Sequence, residues 1–269
     1  MVQTTPLLPP ESGIERPPSP LEDKQKEKYQ SLLDYFSKQD YRLSGADEDG
    51  ELKEIEKFWL VLLRATKWDV NEAQKRLEDT LQWRREFGIY DITPEDIEPE
   101  AVTGKEVLLG YDNKKQPMFY MFPSRQNTEE SPRQIQFTFY FFELSMDLMP
   151  PGIEAHYPER LGYAYISNVP FLVRTFFTLI SPFIDPISRE KMKFNPKVIE
   201  DGYINPDQLI KEWGGQIDFE YKHEEYWPNL MEMTRNRRNL WFKNWQRMGG
   251  KIGTSEWDMK QVSQEQNAE

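Results

Sequence analysis

His156-Tyr157-Pro158-Glu159-Arg160-Leu161-Gly162 opens the stretch whose reading decides the fold, and Trp213-Gly214-Gly215 closes it. Between them lie an apolar run, Ile166-Ser167-Asn168-Val169-Pro170-Phe171, and the segment Ser181-Pro182-Phe183-Ile184-Asp185-Pro186-Ile187-Ser188-Arg189-Glu190-Lys191. Residues 163–167 read as a strand, residues 171–180 as a helix apolar nearly all round, and Met192-Lys193-Phe194 as a second short strand. A helix without a polar face is either buried or in contact with lipid. Taken singly, each feature has an ordinary reading: a core helix at 171–180, a surface ion pair at Glu159-Arg160, and Ser188 as an N-cap with Glu190 and Lys191 exposed.

Upstream, residues 21–41 place Tyr29, Leu32, Leu33 and Phe36 on one helical face, and residues 52–67 repeat the pattern through Ile55, Trp59, Leu62 and Leu63. Asp69, with Glu72 three residues on, predicts the start of a helix over 70–87 that Gly88 ends. Val107-Leu108-Leu109 and Met118-Phe119-Tyr120-Met121 flank the polar turn 112–116 and predict a hairpin. Pro132 begins a helix dense in Phe and Leu on one side, which Pro150-Pro151-Gly152 stops. Downstream, residues 225–248 form a last helix carrying Arg235, Arg237, Arg238, Lys243 and Arg247, with Trp227, Leu230, Leu240 and Trp241 on its packed side. Those cations are either a solvated face or a contact for anionic headgroups.

The expected organisation is a disordered Pro-rich leader (1–20), a helical unit (21–95), an α/β domain (96–220), a C-terminal helix (221–253) and a polar tail (254–269). A net charge of −12 excludes nucleic-acid binding by bulk electrostatics. The absence of cysteine excludes a disulfide framework, thiolate chemistry and cysteine-ligated zinc, and fits a reducing cytoplasm. Two histidines, His156 and His223, leave little for metal sites or triads. Asn168, Pro170, Arg174 and Pro182 interrupt the longest apolar run, which makes it a poor transmembrane span. Aromatic residues reach 14%, enough for a bulky core, a greasy cavity or a membrane-facing surface.

In their order, the motifs from His156 to Gly215 resemble the CRAL-TRIO lipid-binding domain, most closely that of the fungal phosphatidylinositol transfer proteins. Leu62-Leu63-Arg64-Ala65-Thr66-Lys67-Trp68-Asp69 and Leu81-Gln82-Trp83-Arg84 resemble the N-terminal helical part of the same family. The resemblance spans about residues 52–219. It implies an α/β fold with a mixed sheet, helices on one of its faces, an N-terminal helical unit and a gate helix. It further implies a monomer without cofactor or catalysis that holds one phospholipid, phosphatidylinositol foremost, and meets a membrane surface transiently from the cytoplasm. Lys67, Glu159, Ser188 and Lys191 match the family's headgroup positions, whose cations and hydroxyl suit a phosphodiester and whose carboxylate suits inositol hydroxyls. Thr66 stands where the family commonly carries a second arginine. Phe171, Leu172, Phe176, Phe177, Ile180 and Phe183 match the gate, with Pro170 and Pro182 at its hinges.

One departure is large. In the family, a strand and a helix separate the Pro-Pro-Gly stop from the Tyr-Pro-Glu-Arg motif, whereas here Pro150-Pro151-Gly152-Ile153-Glu154 runs almost directly into Ala155-His156-Tyr157-Pro158. Roughly 30 residues, one strand and one helix, are expected to be missing. The resemblance places that strand inside the sheet. Its loss leaves two backbone edges unpaired unless the neighbours close by about one strand spacing, ~4.8 Å. Intact motifs on both sides favour a skipped or misread exon over a long-diverged variant. A shortened, membrane-recruited interaction module that carries no lipid is the alternative function.

Overall fold

In the computed structural model, residues 2–9, 20–38, 41–43, 52–59, 68–150, 162–167 and 186–261 are described, with positions 59, 186–188 and 261 described by backbone alone. The helices are α1 (Asp23–Phe36), α2 (Glu54–Trp59), α3 (Val70–Phe87), α4 (Pro94–Ala101), α5 (Pro132–Leu148), α6 (Pro186–Lys191), α7 (His223–Arg247) and α8 (Glu256–Gln261). The strands are β1 (Glu106–Tyr111), β2 (Pro117–Met121), β3 (Ala164–Ile166) and β4 (Met192–Phe194).

The local signals act where the sequence puts them. Asp69 caps α3 by accepting from the Glu72 N–H at 3.0 Å, and Gly88 ends it in the left-handed region at φ 71°. Pro132 occupies the first turn of α5, where its missing N–H costs nothing. From there α5 drives Phe137 and Phe141, both fully buried, into the main core between the hairpin, α4 and α7. Burial of each contributes about 1.5–3 kcal/mol. A second cluster joins α1 to α3 through Leu32, Phe36, Leu77 and Leu81.

Buried ion pairs tie these helices in series. Arg84 of α3 donates twice to Glu143 of α5, at 2.9 Å each, and its Nε donates to the Tyr90 hydroxyl at 2.9 Å. Arg85 forks onto Glu56 of α2 at 2.6 and 2.7 Å. Asp147, fully buried near the end of α5, accepts from Arg238 of α7 at 2.6 and 3.0 Å. Arg237 donates to the Asp147 carbonyl at 2.7 Å, and Lys260 of α8 to the Met149 carbonyl at 3.1 Å. These last two groups satisfy carbonyls that a helix C-terminus leaves unpaired. The basic run of α7 therefore divides: Arg237 and Arg238 turn inward, while Arg235, Lys243 and Arg247 stay exposed. Leu240, expected on the packed side, is 36% exposed.

β1 and β2 form the expected antiparallel hairpin, with Glu106 opposite Met121, Val107 opposite Tyr120 and Leu108 opposite Phe119. The register shifts between Leu108 and Tyr111, where Gly110 takes φ 76° and a Cβ would collide with the Gln208 carbonyl. Side chains also hold the backbone of β1: Gln208 Oε1 accepts from the Tyr111 N–H at 3.2 Å, and Tyr226 binds at Leu108. The buried Tyr226 hydroxyl accepts from the Leu108 N–H at 2.7 Å and donates to the Leu108 carbonyl at 2.8 Å. β3 and β4 pair in parallel, Ala164 with Met192 through Ile166 with Phe194.

Three features differ from expectation. The α/β class is as expected, but among the described residues the strands make two separate two-stranded sheets, one antiparallel and one parallel. The leader is not free throughout: Gln3 bridges to Phe219, Thr4 donates to Glu225, and Leu7 packs on the main core. In the expected polar tail, α8 buries Met259 and Lys260 against α7, with the Lys260 ammonium 4.1 Å from the Trp241 ring centre.

Candidate functional site

Of the four headgroup candidates, Lys67 and Glu159 lie outside the described residues. Ser188 is placed by its backbone only, in α6. Lys191 ends α6, half-buried, one residue before β4. All six gate candidates, Phe171, Leu172, Phe176, Phe177, Ile180 and Phe183, also lie outside. Lys191 is thus the one candidate described with its side chain. The elements α3, α5, the hairpin and the β3–β4 pair are described in full.

Of these, α3, α5 and the hairpin present an aromatic wall. Trp83 and Phe87 of α3 stack at 5.1 Å, and Phe139 of α5 meets them at 5.0 and 5.1 Å. Phe139 continues to Phe142 at 5.9 Å, and Phe142 to Phe119 of β2 at 5.6 Å. Ile135 (57%), Met121 (53%) and Phe142 (44%) are the exposed members of this surface. Sequence reading placed the apolar residues of α5 on one side of the helix. The structure resolves two stripes, an inward one (Phe137, Phe141, Leu144, Leu148) and an outward one (Ile135, Phe139, Phe142). The i, i+4, i+7 spacing of the second was the available signal.

Two carboxylates of opposite character bond to α5. Glu100 of α4 is fully buried and accepts from Lys105, from Thr128 at 2.6 Å and from Arg133 at 2.7 Å. Burial pushes its carboxyl up, but these donors outweigh it and hold the group below the usual carboxylate range. Glu106, at the head of β1, is 7% exposed and has one donor, the Thr138 hydroxyl of α5 at 2.6 Å. Its Oε2 is buried without a partner. Burial pushes Glu106 up to about 7 against the pull of Thr138 and Lys105, and the Glu100 charge adds to the rise. Sequence reading missed Glu106, although a lone glutamate heading the run Val107-Leu108-Leu109 was a visible signal.

The second feature is the seam between the sheets. Tyr163 and Tyr165 pack on Tyr203 at 5.0 and 5.5 Å, and Lys114, from the hairpin turn, lies 5.1 Å over the Tyr163 ring. The Gln116 side chain lies over Gly162, where a Cβ would require it to move aside. Side chains, not a ladder, join the hairpin to β3. Gln116 Oε1 and Tyr165 Oη are buried there without partners, and burial raises the Asp112 carboxyl beside them.

A cleft of about 620 Å³ lies elsewhere, between α1 and Lys251-Ile252, and no candidate residue lines it. Among the described residues no group of three His, Asp or Glu side chains is set to hold a metal ion. No described helix is long and apolar enough to cross a membrane.

The pattern of the CRAL/TRIO domain matches residues 101–155 and 152–215, and that of the CRAL/TRIO N-terminal domain matches residues 28–79. The first match comes in two pieces that meet at 152–155, where the sequence is expected to lack a strand and a helix. A CRAL-TRIO domain-containing protein of Schizosaccharomyces pombe is 43% identical over 278 residues, which cover 89% of this chain and 27% of that protein's length. Phosphatidylinositol transfer protein PDR17 of Saccharomyces cerevisiae is 33% identical over 298 residues, covering 90% of this chain and 85% of the relative. Phosphatidylinositol transfer protein CSR1 of Eremothecium gossypii is 25% identical, over 60% of this chain and 47% of its own length. The first two alignments exceed the 269 residues of the chain without covering all of it. Both relatives therefore carry residues, inside the aligned region, that this chain lacks.

Proposed function

The chain belongs to the CRAL/TRIO domain family, and we propose that it binds one phospholipid, phosphatidylinositol in first place, and carries it between membranes without covalent chemistry. The observation that carries this reading is the aromatic wall of Trp83, Phe87, Phe119 and Phe139, each half-buried, with Phe142 exposed at its surface. Moving acyl chains through water costs about 0.8 kcal/mol for each methylene left uncovered. A carrier needs a rigid apolar surface to replace the bilayer interior, and α5 held by Arg84–Glu143 and Asp147–Arg238 supplies rigidity. In this reading Lys67, Ser188 and Lys191 receive the phosphate, Glu159 receives the inositol hydroxyls, and Phe171, Leu172, Phe176, Phe177, Ile180 and Phe183 form the gate.

The test is uptake of radiolabelled phosphatidylinositol from vesicles by the wild type and by Lys191→Ala. Removal of one charge-assisted phosphate contact is expected to weaken uptake about tenfold or more. Equal uptake by both proteins would remove Lys191 from the headgroup site. The two-piece family match and the separation of the sheets favour a second reading, a shortened interaction module that carries no lipid. It predicts no uptake by either protein.

A further inference from the structure

We propose that Glu106 is a ligand-contacting residue of the hairpin face that carries Met121 and Phe119, and that its free oxygen takes the hydroxyl group of a lipid or other long-chain apolar molecule. The inference rests on the lipid-carrying reading above and names a second kind of recognition for the same ligand-carrying protein.

Three observations lead to it. The hairpin register puts Glu106 directly opposite Met121 and two residues from Leu108, which faces Phe119. Side chains alternate along a strand, so Glu106 shares a face with the wall residues Met121 and Phe119. On α5, Thr138, which holds the other carboxyl oxygen, lies between Ile135 and Phe142 of the outward stripe.

The free oxygen is the second observation. Buried polar atoms nearly always have a partner, and the neighbouring donors are committed elsewhere. Lys105 and Arg133 turn to Glu100, the Thr128 hydroxyl donates to Glu100, and the single proton of Thr138 goes to Oε1. Oε2 thus has capacity that the described protein does not use.

The chemistry of the surroundings selects the ligand group. An anionic phosphate would face Glu106 and Glu100 together, and an ammonium would face Lys105 and would have to be stripped of water. A hydroxyl carries neither penalty. It donates to the carboxylate, or accepts from the protonated acid, which burial brings within reach near neutrality. Met121, unbranched and 53% exposed, is the side chain that swings aside to open the path.

The test compares a pyrene-labelled long-chain alcohol with its methyl ether, each titrated into the full chain, alongside uptake of radiolabelled phosphatidylinositol by the wild type. The wild type is expected to bind the alcohol about tenfold more tightly than the ether. Glu106→Met is expected to bind the two equally, while Glu106→Gln, which still forms hydrogen bonds, keeps the preference. Equal binding of alcohol and ether by a wild type that takes up phosphatidylinositol overturns the role of Glu106 and leaves the transfer reading standing. A Gln variant as indifferent as the Met variant overturns the hydrogen-bonding role. A wild type that takes up neither probe nor phosphatidylinositol overturns both.

Discussion

The helical frame and the sheet region of this protein differ in how they treat buried charge, although uncharged groups go unpaired in both, at Ser131 and Asn244 of the frame as at Gln116 and Tyr165 of the sheet region. In the frame, Arg84 meets Glu143, Arg85 meets Glu56 and Arg238 meets Asp147, each through two donors. In the sheet region, Glu106, Gln116 and Tyr165 each leave an oxygen buried without a partner. Paired groups fix geometry, and unpaired ones mark where a partner belongs. Gln116 and Tyr165 line the seam between the two sheets. Glu106 lies opposite Met121, on the hairpin face that also carries Phe119.

The largest effect should come from the frame. Arg84→Met removes two charged donors from the buried Glu143 carboxylate, and urea denaturation should show a loss of about 4 kcal/mol. A loss below about 1 kcal/mol would mean that the frame is no more rigid than the seam. Tyr226→Phe comes next: it strands both backbone groups of Leu108 in β1. The expected cost is about 3 kcal/mol, and a neutral result would show that water or a neighbour replaces the hydroxyl.

Glu106→Gln should act in the other direction and depend on pH. The folded carboxyl is raised to about 7 from its ordinary value of 4.5, so between those values the folded state holds the proton more tightly. Stability of the wild type should fall as pH rises through that window and level off above it. Lys105 opposes this rise, and Glu100 and burial drive it. Glu106→Gln should therefore match the wild type near pH 4 and exceed it by about 3 kcal/mol at pH 8. A pH-independent difference would place the Glu106 carboxyl in a solvated setting. The smallest effect is expected at the seam, where Tyr165→Phe removes a hydroxyl that has no partner. A change within about 0.5 kcal/mol is expected from thermal melting, and a larger loss would reveal a partner for that hydroxyl.

What the sequence disclosed follows from how local each cause is. Asp69, Gly88 and Pro132 act within one helical turn, and the run around residues 112–116 acts within one hairpin, so these elements were legible. The start of α4 was equally local, since Thr93 and Asp96 form a reciprocal cap, but its acidic composition hid it. The docking of Gln3 on Phe219 and the burial of Lys260 over Trp241 depend on distant partners, which no local pattern encodes. The candidate headgroup and gate residues came from motifs alone, and of them only Lys191 is described with its side chain. The aromatic wall was not legible, because one helix carries two apolar stripes and periodicity reports only their sum. Glu106 at the head of an apolar run was a visible but ambiguous signal, because a strand glutamate reads as solvent-facing until the register and Thr138 show otherwise.

The most direct test of the central claim is a native mass spectrum of the purified chain after incubation with vesicles of mixed phospholipids. The account predicts a narrow, low charge envelope carrying the added mass of one phosphatidylinositol, released when the protein is unfolded. A spectrum of bare polypeptide, whatever its charge, would contradict it and establish that the aromatic wall does not enclose a lipid.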